Sequence, residues 1–280
     1  MYNYNFIGPG TLDALRLPED SPFRRTVKLL NPFGEDQSLM RTTLLPGMLD
    51  VAARNLNRKT GHARFFEVGN VHFEKGKDLP EERQMVGLAC FDENDSFYTL
   101  KGVLTALFEA MGITGVTYAR SACPCLQPGQ AAAVTSADGA PLGIMGAVHP
   151  LVASAWKIDA KVYMAELDFG AMMGAASAGK RFTPIPKFPV VARDLAVVVD
   201  REAESAVFAR LIEASNPGPI VEHVTLFDTY TGPGLLPGKK SLAYSFTLRA
   251  EDHTLSDEEI KSAMDAIIAA LAAGGAPLRS

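Results

Sequence analysis

The sequence is poor in cysteine, with Cys90, Cys123 and Cys125 as the three in 280 residues. Such a sparse, odd-numbered set does not suit the disulfide framework of a small secreted domain and fits a reducing compartment. Cys123-Pro124-Cys125 has a single intervening residue and no second ligand pair at the spacing of a structural zinc site. The cysteines therefore predict neither a disulfide scaffold nor a metal centre, and the role of the pair stays open.

Long hydrophobic runs are also missing, since no stretch approaches the roughly 18 apolar residues of a membrane span. The segment 1–6 lacks the basic and apolar regions that begin a signal peptide. The hydrophobic share of 47% and the charged share of 21% are ordinary for a globular protein. These features predict a soluble, cytoplasmic protein that has no membrane partner.

An excess of positive charge is absent too, because the formal net charge is −5. Residues 1–182 hold 18 Lys and Arg against 19 Asp and Glu, and residues 183–280 hold 9 against 13. This balance argues against a protein that coats DNA or RNA by bulk electrostatics. Any RNA contact must therefore use a local patch of charge together with base stacking.

Composition changes most clearly near residue 175. Residues 170–179 are rich in small side chains and lack strand periodicity, and residues 180–189 contain three prolines that favour extended backbone. Such a stretch is typical of a domain boundary. We therefore predict a first domain at 1–170, a linker at 171–182 and a second domain at 183–280.

The first domain mixes strands with a few long helices, which predicts an α+β fold built on an antiparallel sheet. Apolar spacing predicts a helix from about Thr43 to Lys59, ended by Gly61, and a second helix from Ser96 to Met111. Strands are predicted at residues 64–73, 85–91, 116–119, 131–135, 142–148 and 162–167.

The first predicted helix has an apolar stripe that consists of Leu45, Met48, Leu49, Ala52 and Leu56. From the residues alone, this stripe fits an ordinary buried helix face and a subunit interface equally well. Both interpretations stay open at this point.

Three other features of the first domain could suggest ligand sites. His72 and His149 are isolated, and isolated histidines are more often structural than metal ligands. The acidic cluster of Asp92, Glu93 and Asp95 suits a solvated turn before a helix, capped by Asp95 or Ser96, better than a cation site. We therefore predict no metal site here.

The second domain has the order β-α-β-β-α-β of a ferredoxin-like fold. Strands are predicted at 194–200, 221–230 and 240–249, a helix at 204–214, and a last short edge strand at 276–279. The final helix has a capping box formed by Ser256 and Glu259 and a hydrophobic staple formed by Leu255 and Ile260. Two helices would cover one sheet face and leave the other able to bind a ligand.

Four segments carry a resemblance to a known family. They are Asn31–Glu74, Tyr98–Gly102, Leu142–Pro150 and residues 183–280. Together they resemble the β subunit of bacterial phenylalanyl-tRNA synthetase over essentially the whole chain. Because that β subunit is far longer, the resemblance is to its C-terminal third.

The resemblance implies that residues 1–170 adopt a class II synthetase-like, catalytic-like domain. Activation of an amino acid by ATP needs cations aimed at phosphate, where negative charge builds in the transition state. The class II pattern places Arg-x-Glu just beyond a Phe-Glu-Ile-Gly strand, whereas this chain has Phe66-Glu67-Val68-Gly69 and then His72-Phe73-Glu74. The glycine-rich Gly143–Gly146 segment also lacks the second class II arginine. We therefore predict no catalytic residues in this chain.

Residues 183–280 resemble the ferredoxin-fold anticodon-binding domain that ends this β subunit. The matching segments are Phe188–Leu195, Leu226–Tyr230 and Gly238–Tyr244. An open sheet face can bind RNA by aromatic stacking, worth about 1–3 kcal/mol per base, with basic side chains on the phosphates. The residues predicted to bind tRNA are Arg193, Phe227, Asp228, Tyr230, Lys239, Lys240, Ser241 and Arg249.

The resemblance implies a part of phenylalanine–tRNA ligase, an enzyme whose catalytic α subunit would be a separate chain in a heterotetramer of α and β subunits. This chain would scaffold that subunit, through the Leu45–Leu56 stripe, and bind the anticodon stem-loop of tRNA(Phe) during ATP-dependent charging. ATP and Mg²⁺ would be used elsewhere in the holoenzyme, and this segment would bind no cofactor. The alternative is a metabolic or regulatory protein whose ferredoxin-like domain binds a small molecule, because this fold hosts many functions.

Overall fold

The computed structural model describes residues 1–76, 78–177, 179, 182, 184–215 and 220–279. Its contacts divide the chain into two compact units, Met1–Arg181 and Phe182–Ser280. Each unit is built on an antiparallel sheet and has its own hydrophobic core. In the described part of the chain, no helix is both long enough and apolar enough to cross a membrane.

The first unit alternates strands with helices. Its strands are β1 (Phe6–Ile7), β2 (Leu39–Met40), β3 (Ala63–Phe73), β4 (Glu81–Phe91), β5 (Thr117–Arg120), β6 (Leu126–Thr135), β7 (Pro141–Val148) and β8 (Tyr163–Asp168). Its helices are α1 (Pro9–Ala14), α2 (Leu45–Asn57), α3 (Phe97–Met111), α4 (Pro150–Ala155) and α5 (Phe169–Ala175). The predicted long helices and strands are confirmed, although β4 begins at residue 81 rather than 85 and β6 begins at residue 126 rather than 131. The elements β1, β2, α1, α4 and α5 are additional to the prediction.

The main sheet of the first unit has the strand order β3-β4-β8-β7-β6-β5, and every pair is antiparallel. Alternate residues of a strand face opposite sides, so Ala89 and Phe91 of β4 enter one core and Val86 and Cys90 enter another. Helices α1, α2 and α4 contribute to the first core, and α3 and α5 contribute to the second. The sheet is therefore covered by helices on both faces.

Helix α2 agrees with its prediction to within two residues at each end. Its termination differs from the prediction, because Lys59 rather than Gly61 adopts the left-handed conformation, with φ 65°. The Lys59 N–H donates to the Leu56 carbonyl, 2.9 Å away, so the chain turns before it reaches the glycine.

Helix α5 shows that the predicted linker at 171–182 begins too early. The Asp168 side chain caps this helix by accepting a hydrogen bond from the Ala171 N–H, 2.9 Å away. Met172 is buried in the second core. Met172 lies in a run of mostly small residues that show no helical periodicity in the sequence. For that reason the composition of this segment suggests a linker and not a helix.

The second unit contains β9 (Val191–Asp200), α6 (Ser205–Ser215), β10 (Val221–Tyr230), β11 (Lys239–Leu248) and α7 (Asp257–Ala273). Its antiparallel strand order is β10-β11-β9. The predicted edge strand at 276–279 lies beside β9 as a single bridge between Val197 and Leu278. This arrangement confirms the ferredoxin-like order, with the last strand reduced to that bridge.

Both helices of the second unit pack on one face of its sheet. Phe208 and Ile212 of α6 and Ile260 and Ile267 of α7 share a core with the even-numbered residues 242–248 of β11. The predicted capping box is confirmed, since the Ser256 and Glu259 side chains each bind the other's backbone N–H. A local signal of this kind fixes where α7 begins.

Candidate nucleic-acid interface and synthetase-like pocket

The sheet face of the second unit that lies opposite α6 and α7 is called the open face below. Because residues 242, 244, 246 and 248 of β11 point into the core, Ser241 and Ala243 belong to the open face. The strand register places Tyr230 beside Ser241 and Asp228 beside Ala243. The open face thus brings together Asp228, Tyr230 and Ser241 from the predicted tRNA-binding set.

Arg279 reaches the same face from the opposite edge of the sheet. Its guanidinium carbon lies 5.0 Å from the centroid of the Tyr230 ring. Its backbone N–H donates to the Ala196 carbonyl of β9, 2.8 Å away, whereas Tyr230 belongs to β10. The two side chains therefore meet across the intervening strands β11 and β9. Arg279 is absent from the sequence prediction, although the predicted edge strand at 276–279 is a signal that could have placed it.

The loop that follows β10 is packed against Tyr230. The tyrosine hydroxyl donates to the Pro233 carbonyl, 2.9 Å away. A Cβ atom at Gly232 would overlap the Tyr230 ring, so a larger residue there would require the ring or the loop to shift. The ring is thus held in place by its own loop.

The other predicted residues of this part of the open face differ in accessibility. Ser241 is 2% exposed, so its hydroxyl is not accessible in this arrangement. Asp228 is exposed, and Phe227 is exposed next to it because a β-bulge interrupts the register between Leu226 and Asp228.

Lys239 and Lys240 do not form one basic patch, which corrects the sequence prediction. Adjacent strand residues point to opposite faces. The Lys239 ammonium lies 2.7 Å from an Asp200 carboxylate oxygen, and the Lys240 ammonium donates to the Ala203 carbonyl, 2.6 Å away, just before α6. Lys240 thus belongs to the helix-covered side, and the charge of Lys239 is offset by Asp200.

The predicted arginines lie away from this position. Lys239 is the first residue of β11, and Arg249 follows the last residue of this ten-residue strand. The two positions are therefore about 30 Å apart. Arg249 Nη2 lies 3.1 Å from a Glu222 oxygen, so the charge of Arg249 is offset as well. Arg193 is exposed on β9 towards the Arg249 end of the sheet. The predicted set of eight therefore does not form one site.

In the first unit, the Phe66-Glu67-Val68-Gly69 strand carries a buried ion pair. Glu67 Oε1 accepts a hydrogen bond from Arg41 Nη1 at 2.9 Å, and the two side chains are 2% and 3% exposed. Asn3 Nδ2 donates to the other Glu67 oxygen at 2.6 Å, and Arg41 Nε donates to the Asn70 carbonyl at 3.0 Å. Both charges are thus paired and hydrogen-bonded within the core.

Glu166 is a second buried carboxyl group nearby. Thr43 Oγ1 and the Leu44 N–H each donate to one of its oxygens at 2.6 Å. Burial raises the pKa of the Glu166 carboxyl, while these hydrogen bonds and the Arg41 charge act in the opposite direction. Glu166 therefore anchors the segment that leads into α2.

A cavity of about 430 Å³ is lined by Met85 of β4, Gly143 and Ile144 of β7, Glu166 of β8, and residues from segments 17–23 and 121–124. Among the described lining residues, the charged side chains are acidic, and neither Lys nor Arg occurs. A triphosphate requires cationic donors. The described lining therefore offers no cationic side chain to a triphosphate.

The predicted interface stripe on α2 is buried in this chain's own core, which corrects that prediction. Leu45, Met48, Leu49 and Ala52 are core residues, and Leu56 packs at the core margin. The helical period shows which face is apolar but not whether the same chain covers it. The outer face of α2 instead lines a polar groove of about 730 Å³, where Trp156 Nε1 donates to Asp50 at 2.8 Å.

Most of the polar residues considered as ligand sites have structural partners, although the buried Nδ1 atom of His72 has no hydrogen-bond partner among the described residues. His149 Nδ1 accepts a hydrogen bond from the Leu151 N–H at 3.1 Å and so caps α4, which confirms a structural role. Ser96 caps α3, and Asp95 pairs with Arg64 at 3.1 Å. Within the described ranges, no group of three or more His, Cys, Asp or Glu side chains could hold a metal ion.

Two family models match the chain, one in each unit. Residues 1–169 match the model described as the phenylalanyl tRNA synthetase beta chain CLM domain, and residues 186–279 match the ferredoxin-fold anticodon binding domain. The fold and these matches together define an α+β protein of the aminoacyl-tRNA synthetase class, with an anticodon-binding domain. More closely, the chain belongs to the phenylalanyl-tRNA synthetase β chain family.

Similar proteins include phenylalanine–tRNA ligase beta subunits from three bacteria. The relative from Symbiobacterium thermophilum is 39% identical over 97% of this chain and 32% of its own length. The relative from Moorella thermoacetica is 41% identical over 96% of this chain and 34% of its own length. The relative from Carboxydothermus hydrogenoformans is 37% identical over 99% of this chain and 36% of its own length. The chain thus spans about a third of the length of these relatives. Their name favours the synthetase hypothesis over the small-molecule alternative.

Proposed function

We propose that the second unit binds the anticodon stem-loop of tRNA(Phe) through its open face. The observation that carries this proposal is the meeting of Tyr230 and Arg279 on a sheet face opposite both helices. The tyrosine ring offers a stacking surface for a base, and the guanidinium can contact phosphate. Asp228 is an exposed acceptor beside them for the edge of an unpaired base.

The charge distribution limits how this unit binds RNA. Residues 183–280 carry 9 Lys and Arg against 13 Asp and Glu, and Lys239 and Arg249 are already paired with carboxylates. Few phosphates are therefore neutralised, so the affinity depends mainly on stacking and varies weakly with salt.

The test compares four RNAs by fluorescence anisotropy with the full chain. They are tRNA(Phe), its anticodon stem-loop, the same stem-loop with abasic loop positions, and an acceptor-stem hairpin. We expect the first two to bind with similar affinity and the abasic loop to bind more weakly. Equal binding of the acceptor-stem hairpin, or no effect of the abasic positions, would contradict the proposal.

We propose that the first unit is a non-catalytic scaffold for the catalytic α subunit in cytoplasmic translation. Its cavity lacks cationic lining among the described residues, and its buried arginine is committed to Glu67. ATP and Mg²⁺ would be used by the holoenzyme in the α subunit. The full chain, given ATP, phenylalanine and tRNA, should neither exchange pyrophosphate nor charge tRNA. Turnover above background would refute this part of the proposal.

The α subunit would contact the exposed apolar surface of β3, since the α2 stripe is buried. Phe66 is 61% exposed on this edge strand, and Val68 is exposed two residues further on the same face. The Met1 amino group donates to the Phe66 carbonyl at 2.8 Å, so the exposed Tyr2 lies close by. A cluster of this kind on a protein surface suits a partner chain.

The surface is tested by size-exclusion binding of the chain to the α subunit. Phe66→Ser should weaken the complex, whereas Leu151→Ser, which changes an exposed leucine on α4, should not. No complex with the unaltered chain would contradict the scaffold proposal itself. Equal effects of the two substitutions would contradict only the choice of surface.

A further inference from the structure

The turn between β5 and β6 brings two cysteines into contact. Cys123 Sγ and Cys125 Sγ lie 2.8 Å apart. The Leu126 N–H donates to the Cys123 carbonyl at 3.1 Å, which closes a four-residue turn with Pro124 in its second position. Proline favours this position because its φ is already fixed for the turn. The turn thus folds the second thiol back onto the first.

Two contacts from distant parts of the chain and one local contact hold this turn. Arg16 Nη1 donates to the Pro124 carbonyl at 3.1 Å. The His149 N–H donates to the Cys125 carbonyl at 2.9 Å, and the Cys123 N–H donates to Ser121 Oγ at 3.2 Å. The approach of the two sulfur atoms is therefore built into the first unit and does not depend on the turn alone.

The two thiols have different surroundings. Cys123 lines the 430 Å³ cavity, whereas Cys125 is buried in the first core. A hydrogen bond from the Cys125 thiol, helped by the Cys125 and Leu126 N–H groups, lowers the pKa of Cys123 to about 7. The same interaction, together with burial, raises the pKa of Cys125. At neutral pH, a substantial fraction of Cys123 is therefore thiolate and can act as the nucleophile, whereas Cys125 stays protonated.

We propose that Cys123-Pro124-Cys125 is a redox-active dithiol, which a small-molecule disulfide entering the adjoining cavity converts to an intramolecular disulfide. The Cys123 thiolate attacks one sulfur of the small disulfide, whose S–S bond breaks and releases one thiolate. That thiolate takes the proton of Cys125. Cys125 then attacks Cys123 Sγ and expels the second small thiolate. The two cysteines are oxidised, and one small disulfide is reduced to one thiol and one thiolate, which takes its proton from water.

Cys90 provides a natural contrast within the same unit. It is buried in the second core, away from the cavity lining, and burial raises the pKa of its thiol to about 12. It is therefore inert toward exchange. Because the new bond closes a very short loop that is already turned, it adds little to stability. Its effect is to fix one wall of the cavity.

The experiment equilibrates the full chain with graded ratios of oxidised to reduced glutathione. After an acid quench, the chain is denatured, alkylated and digested with trypsin, which places Cys123 and Cys125 in peptide 121–157 and Cys90 in peptide 84–101. We expect both alkylation sites of peptide 121–157 to be lost together, with a mass lower by two hydrogen atoms. Peptide 84–101 should stay alkylated throughout.

Single variants identify the order of attack. Cys125→Ser should retain one glutathione on Cys123, and Cys123→Ser should form an adduct at least about tenfold more slowly. Cys90→Ser should behave as the unaltered chain. Full alkylation of peptide 121–157 at every ratio, a stable glutathione adduct on the unaltered chain, or equally fast reaction of the first two variants would overturn the proposal. Full alkylation and a stable glutathione adduct are both measured on the unaltered chain. These two outcomes therefore test the proposal even if a substitution impairs folding.

Discussion

Arg279 holds its guanidinium carbon 5.0 Å from the centroid of the Tyr230 ring, although β9 and β11 separate the strand of Tyr230 from the segment of Arg279. A cation–π contact at an exposed site is worth about 0.5–1 kcal/mol. A stacked base is worth about 1–3 kcal/mol. A base can therefore replace the guanidinium on the ring and leave Arg279 to a nearby phosphate.

Replacement of the Tyr230 ring tests the stacking surface. Tyr230→Ala should weaken binding of the anticodon stem-loop by about 1–3 kcal/mol, or roughly 5- to 150-fold. Tyr230→Phe should retain most of the affinity, because it keeps the ring and loses the bond to Pro233. Isothermal titration calorimetry measures both. Tyr98→Ala removes an exposed tyrosine of α3 and serves as the control; an equal loss there would show that the effect is not local.

The Arg279 charge is expected to appear in the salt dependence of binding. Arg279→Gln should reduce the slope of log affinity against log salt by about one, since one phosphate contact is lost. Lys261→Gln removes an exposed cation from α7, on the helix-covered side, and should leave the slope unchanged. Anisotropy titrations at several salt concentrations give both slopes. An unchanged slope for Arg279→Gln would remove Arg279 from the interface.

Lys239 and Lys240 should respond separately. Lys240→Ala breaks a hydrogen bond to the Ala203 carbonyl on the helix side, so we expect lower thermal stability and unchanged RNA affinity. Lys239→Ala removes a cation from the other face and should weaken binding modestly, because Asp200 already offsets its charge. Melting curves and RNA titrations on each variant distinguish these effects. A larger loss of affinity for Lys240→Ala would reverse the assignment of faces.

The buried Arg41–Glu67 pair should be costly to break. Glu67→Gln leaves the Arg41 charge buried without a counter-charge, which typically costs about 3–5 kcal/mol. Trp156, the single tryptophan of the sequence, lies in the first unit, so its fluorescence follows unfolding of that unit in urea. Glu109→Gln, at an exposed position of α3, should change the free energy of unfolding by less than about 0.5 kcal/mol. Equal stability of the two variants would show that the pair is dispensable.

Glu166 predicts a pH dependence of stability. Burial raises its pKa in the folded state above the ordinary 4.5, so folding favours its protonated form. Its stabilising effect is complete below about pH 4.5 and is lost as the pH rises through the raised value. Glu166→Gln keeps acceptor and donor groups for Leu44 and Thr43 without ionising.

The Glu166→Gln variant should therefore gain in free energy of unfolding over the unaltered chain as the pH rises above about 4.5. Urea unfolding followed by Trp156 fluorescence at a series of pH values measures this difference. Thr43→Val, which removes one hydrogen bond to Glu166 but keeps the carboxyl, provides a comparison that still titrates. If the difference in free energy of unfolding between Glu166→Gln and the unaltered chain did not change with pH, Glu166 would not be the titrating group.

Local signals made much of the fold predictable. The Ser256–Glu259 capping box fixes the start of α7, and helical periodicity placed α2 to within two residues at each end. The period of two in β11 separates core from open-face residues. Applied to Lys239 and Lys240, the same period would have assigned them to opposite faces.

Long-range pairing was not predictable in this way. Arg41 and Glu67 lie 26 residues apart, and their contact depends on how β3 packs against the segment before α2. The Leu45–Leu56 stripe is apolar by period, but the surface that covers it comes from distant strands and helices of the same chain. Arg279 reaches Tyr230 only through the sheet order, which brings the end of the chain beside β9.

The loop around Gly232 has a consequence for the thermodynamics of recognition. Because the Tyr230 hydroxyl is bonded to Pro233 and the loop passes against the ring, the side chain is ordered before RNA arrives. Immobilising a flexible side chain on binding costs about 0.5–1.5 kcal/mol. Because Tyr230 is already ordered when the chain folds, RNA binding does not incur this loss of entropy. Gly232 thus contributes to affinity through preorganisation, without contributing a side-chain atom that RNA could contact.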